Sequence, residues 1–428
     1  MVRPFVVSFA TFALVTLSAG MLSAQEATPA PMKPAPDSGT FHHRVLWIEN
    51  PQSEAVLSWT TRQAGTNHRI FWDTVSRQGD VAAYANQQST FKDGQFTMTA
   101  RDEAWVKPAY FHHVHLSGLE PDTVYYVVFA SDGDTSAEFH FRTAPAEDKT
   151  VAVLFGGDSR IGGADPYDHN DRQKMNMRMR TLFEESDDIY AFVHGGDYCQ
   201  VAQWRFLEPW LTDHELTTTT SGRLLPVIPA RGNHDRDIGF EEMFSWPTLT
   251  TNYYYRTSLT PEVLLVTLNT EMSLGGDQRD WLEATLAAER TAHRWAVVSY
   301  HRPAYSSVRS VQDGAGRRDN WVPYFERNNV DLVLESHDHA LKRTLPIRSG
   351  APDLEKGIVY IGDGGLGVPQ RTPDPTRWWL QEPGFAKPVH HCHVLRFGAE
   401  GLHVVAYGME GDTLDDFTRA PRTVAAGE

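Results

Sequence analysis

The sequence predicts an all-β sandwich followed by a larger α/β layer fold. Between residues 43 and 143, short runs of β-branched and aromatic residues are separated by turn-forming pairs such as Asn50-Pro51 and Ala64-Gly65, a spacing typical of a β-sandwich. After residue 150, apolar runs of strand character alternate with segments of helical periodicity, which is the pattern of an α/β layer fold. Apolar residues make up 41% of the 428-residue chain, enough to supply sizeable cores.

The first 24 residues are predicted to be a secretory signal. Arg3 gives the charged start, residues 5–22 are apolar, and Leu22-Ser23-Ala24 has the small residues of a cleavage site. An uncleaved membrane anchor is the alternative, because the apolar run is long enough nearly to span a bilayer. With the signal cleaved, we expect no stable membrane span and a periplasmic or secreted protein.

Two further segments are predicted to lie outside the folded domains. Residues 25–40 are rich in Ala and Pro, the composition of a flexible linker. Residues 411–428 are polar and are expected to form a frayed tail. The all-β domain is therefore predicted over residues 41–145 and the α/β domain over residues 150–410.

Charge and cysteine content exclude some classes of protein. The formal net charge is −16, so the chain is a poor candidate for gripping a nucleic-acid backbone, although local positive charge beside a metal site could hold one phosphate. The only cysteines are Cys199 and Cys392. An exported chain can oxidise such a pair, and two separate buried thiols are the alternative.

Two stretches of the first domain resemble a fibronectin type III module. Residues 116–126 are similar to the turn and following strand of that module, and residues 139–145 to its last strand. His112, His113 and His115 lie on the strand before the turn. A metal site and ordinary strand packing are both open interpretations of these histidines.

Polar residues follow several apolar, strand-like runs of the second domain. Carboxylate, amide and imidazole groups placed at successive strand ends are the ligands that a two-metal hydrolytic site needs. The candidate metal ligands are Asp158, Asp197, Asn233, His301, His337 and His339.

The order of these residues suggests how they divide between two ions. Asp197 lies centrally in the series and is the natural bridge. Asp158 and His339 would complete one site, and the remaining three would complete the other. His337 and His339 are expected to share one face of an extended segment, because side chains at i and i+2 point the same way.

His234 is the candidate catalytic residue. It neighbours Asn233 but is expected to point elsewhere, so it can protonate the leaving oxygen or hold a phosphate oxygen. Arg160, two residues after Asp158, is the second candidate, because a guanidinium can hold a phosphate through two hydrogen bonds.

Four stretches resemble the calcineurin-like metallophosphoesterases and, within them, the purple acid phosphatase branch. They are Gly232–Asp235, Val298–Ser307, Leu332–Pro346 and Tyr360–Gly365. The resemblance covers roughly residues 43 to 408 and, in this order and spacing, is highly specific. It implies two stacked β-sheets flanked by helices, hydrolysis of phosphate esters by a metal-bridging hydroxide, and two divalent or trivalent ions, with iron paired to zinc, manganese or iron.

The sequence departs from the purple branch at three positions. Gln200 stands where that branch has a tyrosine, Arg160 stands where it has glycine, and Ser336 replaces the glycine before the histidine pair. The Asp158 site therefore has three obvious protein ligands, and its fourth could be Gln200, Tyr198, Cys199 or water. Ser336 is expected to restrict the backbone locally.

The sequence thus predicts an exported hydrolase that acts on a small phosphorylated substrate. Arg160 could neutralise a dianionic phosphate, which favours a phosphomonoester and an acid phosphatase-like activity. A phosphodiesterase or nucleotide pyrophosphatase is the first alternative, and a catalytically degenerate binding protein is the second.

Overall fold

The computed structural model describes residues 39–160, 169–248, 252–362 and 364–422. The predicted signal over residues 1–24 and nearly all of the linker over residues 25–40 lie outside these ranges. Within the described ranges, no helix has the length and apolar character needed to cross a membrane.

The first part of the chain is a β-sandwich. Its strands are β1 (Thr40–Leu46), β2 (Glu54–Thr61), β3 (His68–Asp73), β4 (Asn86–Ser89), β5 (Lys92–Gln95), β6 (Tyr110–Ser117), β7 (Val124–Ser131), β8 (Asp134–Thr135) and β9 (Phe139–Arg142). One layer has the order β1-β2-β6-β5, and the other contains β4-β3-β7-β8 with β9 beside β7. The indole nitrogen of Trp59 donates to the Ser131 hydroxyl at 3.0 Å and so joins the two layers.

The second part alternates strands and helices. Its strands are β10 (Val151–Gly156), β11 (Ile189–His194), β12 (Val227–Pro229), β13 (Tyr255–Thr260), β14 (Val263–Thr267), β15 (Trp295–Ser299), β16 (Leu332–Leu334), β17 (Leu341–Arg343), β18 (Ile347–Arg348), β19 (Ala351–Pro352), β20 (Val359–Gly362), β21 (Phe385–Lys387), β22 (His391–Phe397), β23 (Leu402–Gly408) and β24 (Thr413–Arg419). Its α-helices are α1 (Asn170–Glu185), α2 (Trp204–His214), α3 (Gly239–Met243), α4 (Asp277–Glu289), α5 (Ala315–Asn320) and α6 (Val322–Arg327). Single turns of 3₁₀-helix span Glu215–Thr217, Arg290–Ala292, Val311–Gly314 and Trp378–Leu380.

These strands form two large sheets with helices outside, as the resemblance to the metallophosphoesterases implies. The first has the order β24-β23-β22-β10-β11-β12-β1-β2-β6-β5, and the second β13-β14-β15-β16-β20-β17-β21. Val263 and Leu265 of β14 belong to the core shared with the first sheet, whereas Leu264 and Val266 belong to the core that includes α4 and α6. Alternate side chains of a strand point to opposite faces, so the second sheet is buried on both sides.

The two parts of the chain share one sheet rather than packing as separate domains. Strand β1 of the sandwich runs parallel to β12, with Leu46 opposite Val227, and the Trp47 amide donates to the Val227 carbonyl at 2.9 Å. Phe96 stacks on Trp204 with ring centroids 4.3 Å apart. A single sequence does not reveal this pairing, because the two strands are far apart in the chain.

The helical periodicity predicted after residue 150 corresponds to helices that include Asn170–Glu185 and Asp277–Glu289. In the first of these helices, Met175 and Met179 are fully buried, so they lie on the face that packs into the core.

Part of the predicted polar tail is ordered, which corrects the prediction for residues 411–428. Residues 413–419 form strand β24, antiparallel to β23. Phe417 packs against the core, and Asp415 accepts from the Arg343 Nε at 2.8 Å. An edge strand needs only one apolar face, so its polar composition resembles that of a tail.

The structure separates the two cysteines and places the strand histidines in different surroundings. Cys199 and Cys392 are both buried and unbridged. On β6, His112 contacts Asp93 and Thr61, whereas His113 contacts Ser58 and the Glu242 carbonyl. His112 and His113 therefore face different surroundings, and His112 lies with His68 and Asp93 in a group whose donor atoms are close enough to hold a metal ion.

We predict that the shared sheet makes both parts unfold together. Trp47 is fully buried at the junction, so Trp47→Ala should lower the free energy of unfolding by about 3–5 kcal/mol. Urea unfolding followed by tryptophan fluorescence and by far-UV circular dichroism should give coincident transitions that both shift. Leu354→Ala is the control, because Leu354 is 70% exposed and should change stability by about 0.5 kcal/mol or less. The prediction would be contradicted if, in Trp47→Ala, only one of the two signals shifted or if the two transitions no longer coincided.

Candidate metal centre

The six predicted ligands lie in the loops that follow five strands. Asp158 follows β10, Asp197 follows β11 and Asn233 follows β12, and these three strands run parallel. His301 follows β15, and the histidine pair at 337 and 339 follows β16, which is parallel to β15. Because carboxyl ends of parallel strands meet at one edge, each sheet contributes one row of ligands.

Four of these residues have left-handed backbone. The φ angles are 54° at Asp158, 57° at Asp197, 82° at His337 and 62° at His339. Residues other than glycine rarely adopt this conformation, and such strain concentrates at functional sites. The expectation that the two histidines share a face of an extended segment is therefore wrong. The backbone at His337 and at His339 is left-handed, so the segment that contains them is not extended.

Four donor atoms converge at one position. The Nε2 atom of His301 lies 3.1 Å from the His337 Nδ1, 3.2 Å from the Asn233 Oδ1 and 3.3 Å from the Asp197 Oδ1. Imidazole, amide and carboxylate donors this close suit a transition metal or zinc. The structure thus brings together the group predicted from the sequence.

The second position contains Asp158 and His339. The Asp158 Oδ2 accepts from the His337 amide at 2.7 Å, while its Oδ1 lies 3.2 Å from the His339 Nε2. The Oδ1 atom is buried and accepts no hydrogen bond that meets ordinary geometry within the described part of the chain. A buried carboxylate oxygen without such a bond is costly, and it suits a metal ion as its missing partner.

Backbone carbonyls fix which ring nitrogen of two histidines faces the site. The Nδ1 of His301 donates to the Gly195 carbonyl at 2.9 Å, and the Nδ1 of His339 donates to the Pro369 carbonyl at 3.2 Å. A carbonyl can only accept, so each ring keeps its Nε2 unprotonated in the neutral form. This is the usual arrangement of metal-binding histidines.

Glycines leave room for the two carboxylates. A Cβ atom at Gly232 would lie 2.3 Å from the Asp197 Oδ1, and one at Gly364 would lie 2.3 Å from the Asp158 Oδ2. Gly364 also has a φ of 88°, which glycine adopts readily. Gly364 belongs to the last of the four stretches that carry the family resemblance, so that stretch borders the site.

The electrostatics of the ligand set call for a cation. Burial disfavours a charged ring, yet the Asp197 and Asp158 carboxylates outweigh it and raise the pKa of His301 to about 10. Burial likewise opposes ionisation of Asp197, but His301 and His234 hold the pKa of that carboxyl below its ordinary value. The site is thus stable when positive charge lies between these groups, and a metal ion would supply it.

Asp235 holds the loops of the site together, a role that the sequence did not reveal. Its carboxylate accepts from the backbone amides of Gly232 at 2.8 Å, Asp197 at 2.7 Å and Tyr198 at 3.1 Å. Burial and the nearby Asp197 raise the pKa of Asp235. The sequence feature that could have indicated this role is the position of Asp235 directly after His234 in the stretch Gly232–Asp235.

His234 lies at the rim of the site. Its Nδ1 donates to the Gln200 carbonyl at 2.7 Å, which leaves the Nε2 3.8 Å from the Asp197 Oδ2. The side chain is 27% exposed. The ring is therefore oriented and open to a ligand, as a residue that exchanges a proton must be.

Two of the three departures from the purple branch pair with each other. The Arg160 Nη1 donates to the Gln200 Oε1 at 2.8 Å, and the Arg160 Nε lies 4.0 Å from the Asp197 Oδ2. The Gln200 amide oxygen is therefore engaged by a guanidinium. A fixed positive charge stands beside Asp197.

The alternatives to Gln200 as a fourth ligand point away from the site. Tyr198 stacks on His194 with ring centroids 3.7 Å apart, and its hydroxyl is buried with no hydrogen-bond partner among the described residues. The Cys199 thiol donates to the Val201 carbonyl at 3.0 Å, and burial raises its pKa well above the ordinary value.

Ser336 fills space below the ligand loops. Its Oγ would lie 2.0 Å from a Cβ added at Gly195 and 2.3 Å from one added at Gly157. Its φ is outside the left-handed region in which His337 and His339 lie. The serine is thus accommodated by two glycines opposite it rather than by backbone strain.

Comparisons with known proteins agree with this geometry. The sequence profile of the purple acid phosphatase N-terminal domain matches residues 41–143, and that of the calcineurin-like phosphoesterases matches residues 169–341. Purple acid phosphatase 18 of Arabidopsis thaliana is 24% identical over 388 residues, which cover 86% of this chain and 84% of that protein.

Two other comparisons concern a longer relative and the fold. An uncharacterised protein of Mycobacterium tuberculosis is 27% identical over 379 residues, which cover 80% of this chain and 66% of the relative. The chain thus spans about two thirds of the length of that relative. The structure of purple acid phosphatase PPD1 from yellow lupin has a TM-score of 0.74 at 20% identity, covering 91% of this chain and 78% of that one.

The two profiles match the two parts of the fold, and the strand-end ligands occupy the second. The chain therefore carries a calcineurin-like phosphoesterase domain, preceded by the N-terminal domain of the purple acid phosphatases.

Proposed function

We propose that the protein is an exported, two-metal phosphatase that hydrolyses a small phosphomonoester. The observation that carries the proposal is the convergence of Asp197, Asn233, His301 and His337 around one point, with Asp158 and His339 paired nearby. When bound, two ions supply Lewis acidity and an activated water. We assign Asp197 as the bridging ligand, and iron, zinc or manganese as the metals.

The chain's own residues would orient the ester and manage its proton. His234 keeps its Nδ1 on the Gln200 carbonyl, so only its Nε2 can give a proton to the leaving oxygen. Arg160 is held by Gln200 on the side of Asp197, where its guanidinium can bind a phosphoryl oxygen. A dianionic monoester gains more from this charge than a monoanionic diester does.

Arg160→Ala tests both the activity and the ester preference. With Fe, Mn and Zn each supplied, wild type should hydrolyse p-nitrophenyl phosphate faster than its bis ester. The variant should lose about 10- to 150-fold in kcat/KM on the monoester, because a charge-assisted hydrogen bond is worth about 1.5–3 kcal/mol, and less on the diester. Arg279→Ala is the matched control, since Arg279 is exposed and pairs with Asp280.

Two outcomes would count against this assignment. Equal losses on both esters would remove the argument for a monoester and favour a phosphodiesterase. A wild-type protein that contains both ions yet hydrolyses neither ester would favour a degenerate binding protein.

His234→Ala should lower kcat by about 10²–10⁴-fold while both metals are retained, because the ring is within reach of the leaving group but is not assigned as a ligand. Metal content measured by plasma mass spectrometry and steady-state kinetics provide the two readouts. His403→Ala serves as the control, since that ring is exposed and pairs with Asp416. Loss of an ion from the His234 variant would make His234 a ligand instead.

Iron-loaded protein should lack the visible charge-transfer band that a tyrosine phenolate gives with ferric iron. Gln200 supplies no phenolate, and Tyr198 is buried against His194. The Asp158-side ion should also dissociate more readily than the other. Absorption spectra of wild type and Tyr198→Phe should match, and a mid-visible band that disappears in the variant would refute this account of the site.

A further inference from the structure

A cavity adjoins the metal centre and is not used by the mechanism above. Its volume is about 310 Å³, within the usual range of small-molecule sites. The residues that line it are Arg302, Pro303, Ser306, Arg309, Asp313, Arg317 and His337. Because His337 is also a proposed ligand, the cavity opens directly beside one metal position.

The lining is basic although the protein as a whole is acidic. Three arginines and one aspartate line the cavity, in a chain with a formal net charge of −16. Glu271 binds the Arg302 Nε at 2.7 Å and offsets that charge. Arg317 donates to the backbone carbonyls of Pro303 and Asp313, neither of which carries a charge. Within the lining itself, three guanidinium groups therefore face one carboxylate.

Arg309 is the arginine with the weakest protein partner. Its side chain is 33% exposed, and its Nε lies 3.6 Å from the Asp338 Oδ1, too far for a hydrogen bond. Asp338 is already engaged, because its Oδ2 accepts from Ser306 Oγ and from the amides of Ser307 and Val308. The Arg309 guanidinium is thus held near the cavity with donors available to a ligand.

Other arginines crowd the same region. Arg371 donates to the His337 carbonyl at 3.4 Å. An anion that binds between guanidinium groups is stabilised by their positive charge.

We propose that this cavity binds a second phosphoryl group of the substrate. The proposal rests on the proposed function: one phosphoryl group occupies the metal centre, and the second extends past His337 to Arg309 and Arg317. The substrate class is an organic diphosphate or bisphosphate, in which one phosphate is hydrolysed and the other is recognised. Arginine suits this task, since its planar fork matches phosphate oxygens.

The test compares ligands that differ only in the second phosphoryl group. AMP and ADP form one pair, and fructose 6-phosphate and fructose 1,6-bisphosphate form the other. Affinities are measured by titration calorimetry on zinc-loaded protein, and phosphate release is measured separately. Wild type should prefer the two-phosphate member of at least one pair. Arg309→Ala should lower that preference, expressed as the ratio of affinities, by about tenfold or more.

Matched variants separate charge from a general disturbance. Arg309→Lys keeps the positive charge and should retain part of the preference, whereas Arg279→Ala, on an exposed helix position, should leave it unchanged. Thermal unfolding of each variant checks that the fold is intact. A preference for ADP over AMP would show that the two phosphoryl groups are adjacent in the substrate. A preference for fructose 1,6-bisphosphate over fructose 6-phosphate would show that they are separated.

The outcomes for the cavity and for the activity are independent. An unchanged affinity ratio in Arg309→Ala for both pairs, or no wild-type preference in either, would overturn the cavity assignment. Absence of phosphate release with the ratio effect intact would instead overturn the proposed hydrolysis and leave an anion-binding cavity.

Discussion

The site depends on backbone that the chain does not adopt easily. Asp158, Asp197, His337 and His339 each have a positive φ, at a cost of about 1–3 kcal/mol per residue. Fully buried strands precede each turn, and the Asp235 carboxylate ties three amides of two loops together. The rigid strands and the hydrogen bonds hold the turns, so the donor atoms are arranged before any ligand binds.

Residue type and strand pattern predicted the ligand set, but not the contacts that orient it. Apolar runs followed by Asp, Asn or His mark strand ends, and parallel strands bring those ends together. The Arg160–Gln200 hydrogen bond joins residues 40 positions apart, and the three Asp235 hydrogen bonds depend on loop geometry. Neither kind of contact produces a recognisable pattern in a single sequence. The pairing of β1 with β12 was hidden for the same reason, since a register between distant strands has no local signature.

The amino-terminal sandwich supports the site through that pairing. β1 lies against β12, and the loop after β12 carries Asn233 and His234. Arg44 of β1 also donates to the Met243 carbonyl at the end of α3, and Thr97 donates to Glu242. The sandwich thus buries the outer edge of the sheet and the helix behind the His234 loop. An edge strand left bare would be prone to pair with other chains, so the sandwich also protects the catalytic sheet.

Charge is organised on two length scales in this protein. At physiological ionic strength the screening length is about 8 Å, so a phosphate inside the cavity hardly senses the formal charge of −16. It senses the arginines that line the cavity, which are Arg302 and Arg309 in the loop after β15 and Arg317 of α5. Asp338 links these loops to the metal centre, because it lies between His337 and His339 in the chain and binds the amides of Ser307 and Val308. The distance between the metal positions and the cavity is therefore set by the short segment from His337 to His339. That fixed distance would let the protein distinguish a substrate with two phosphates from one with a single phosphate.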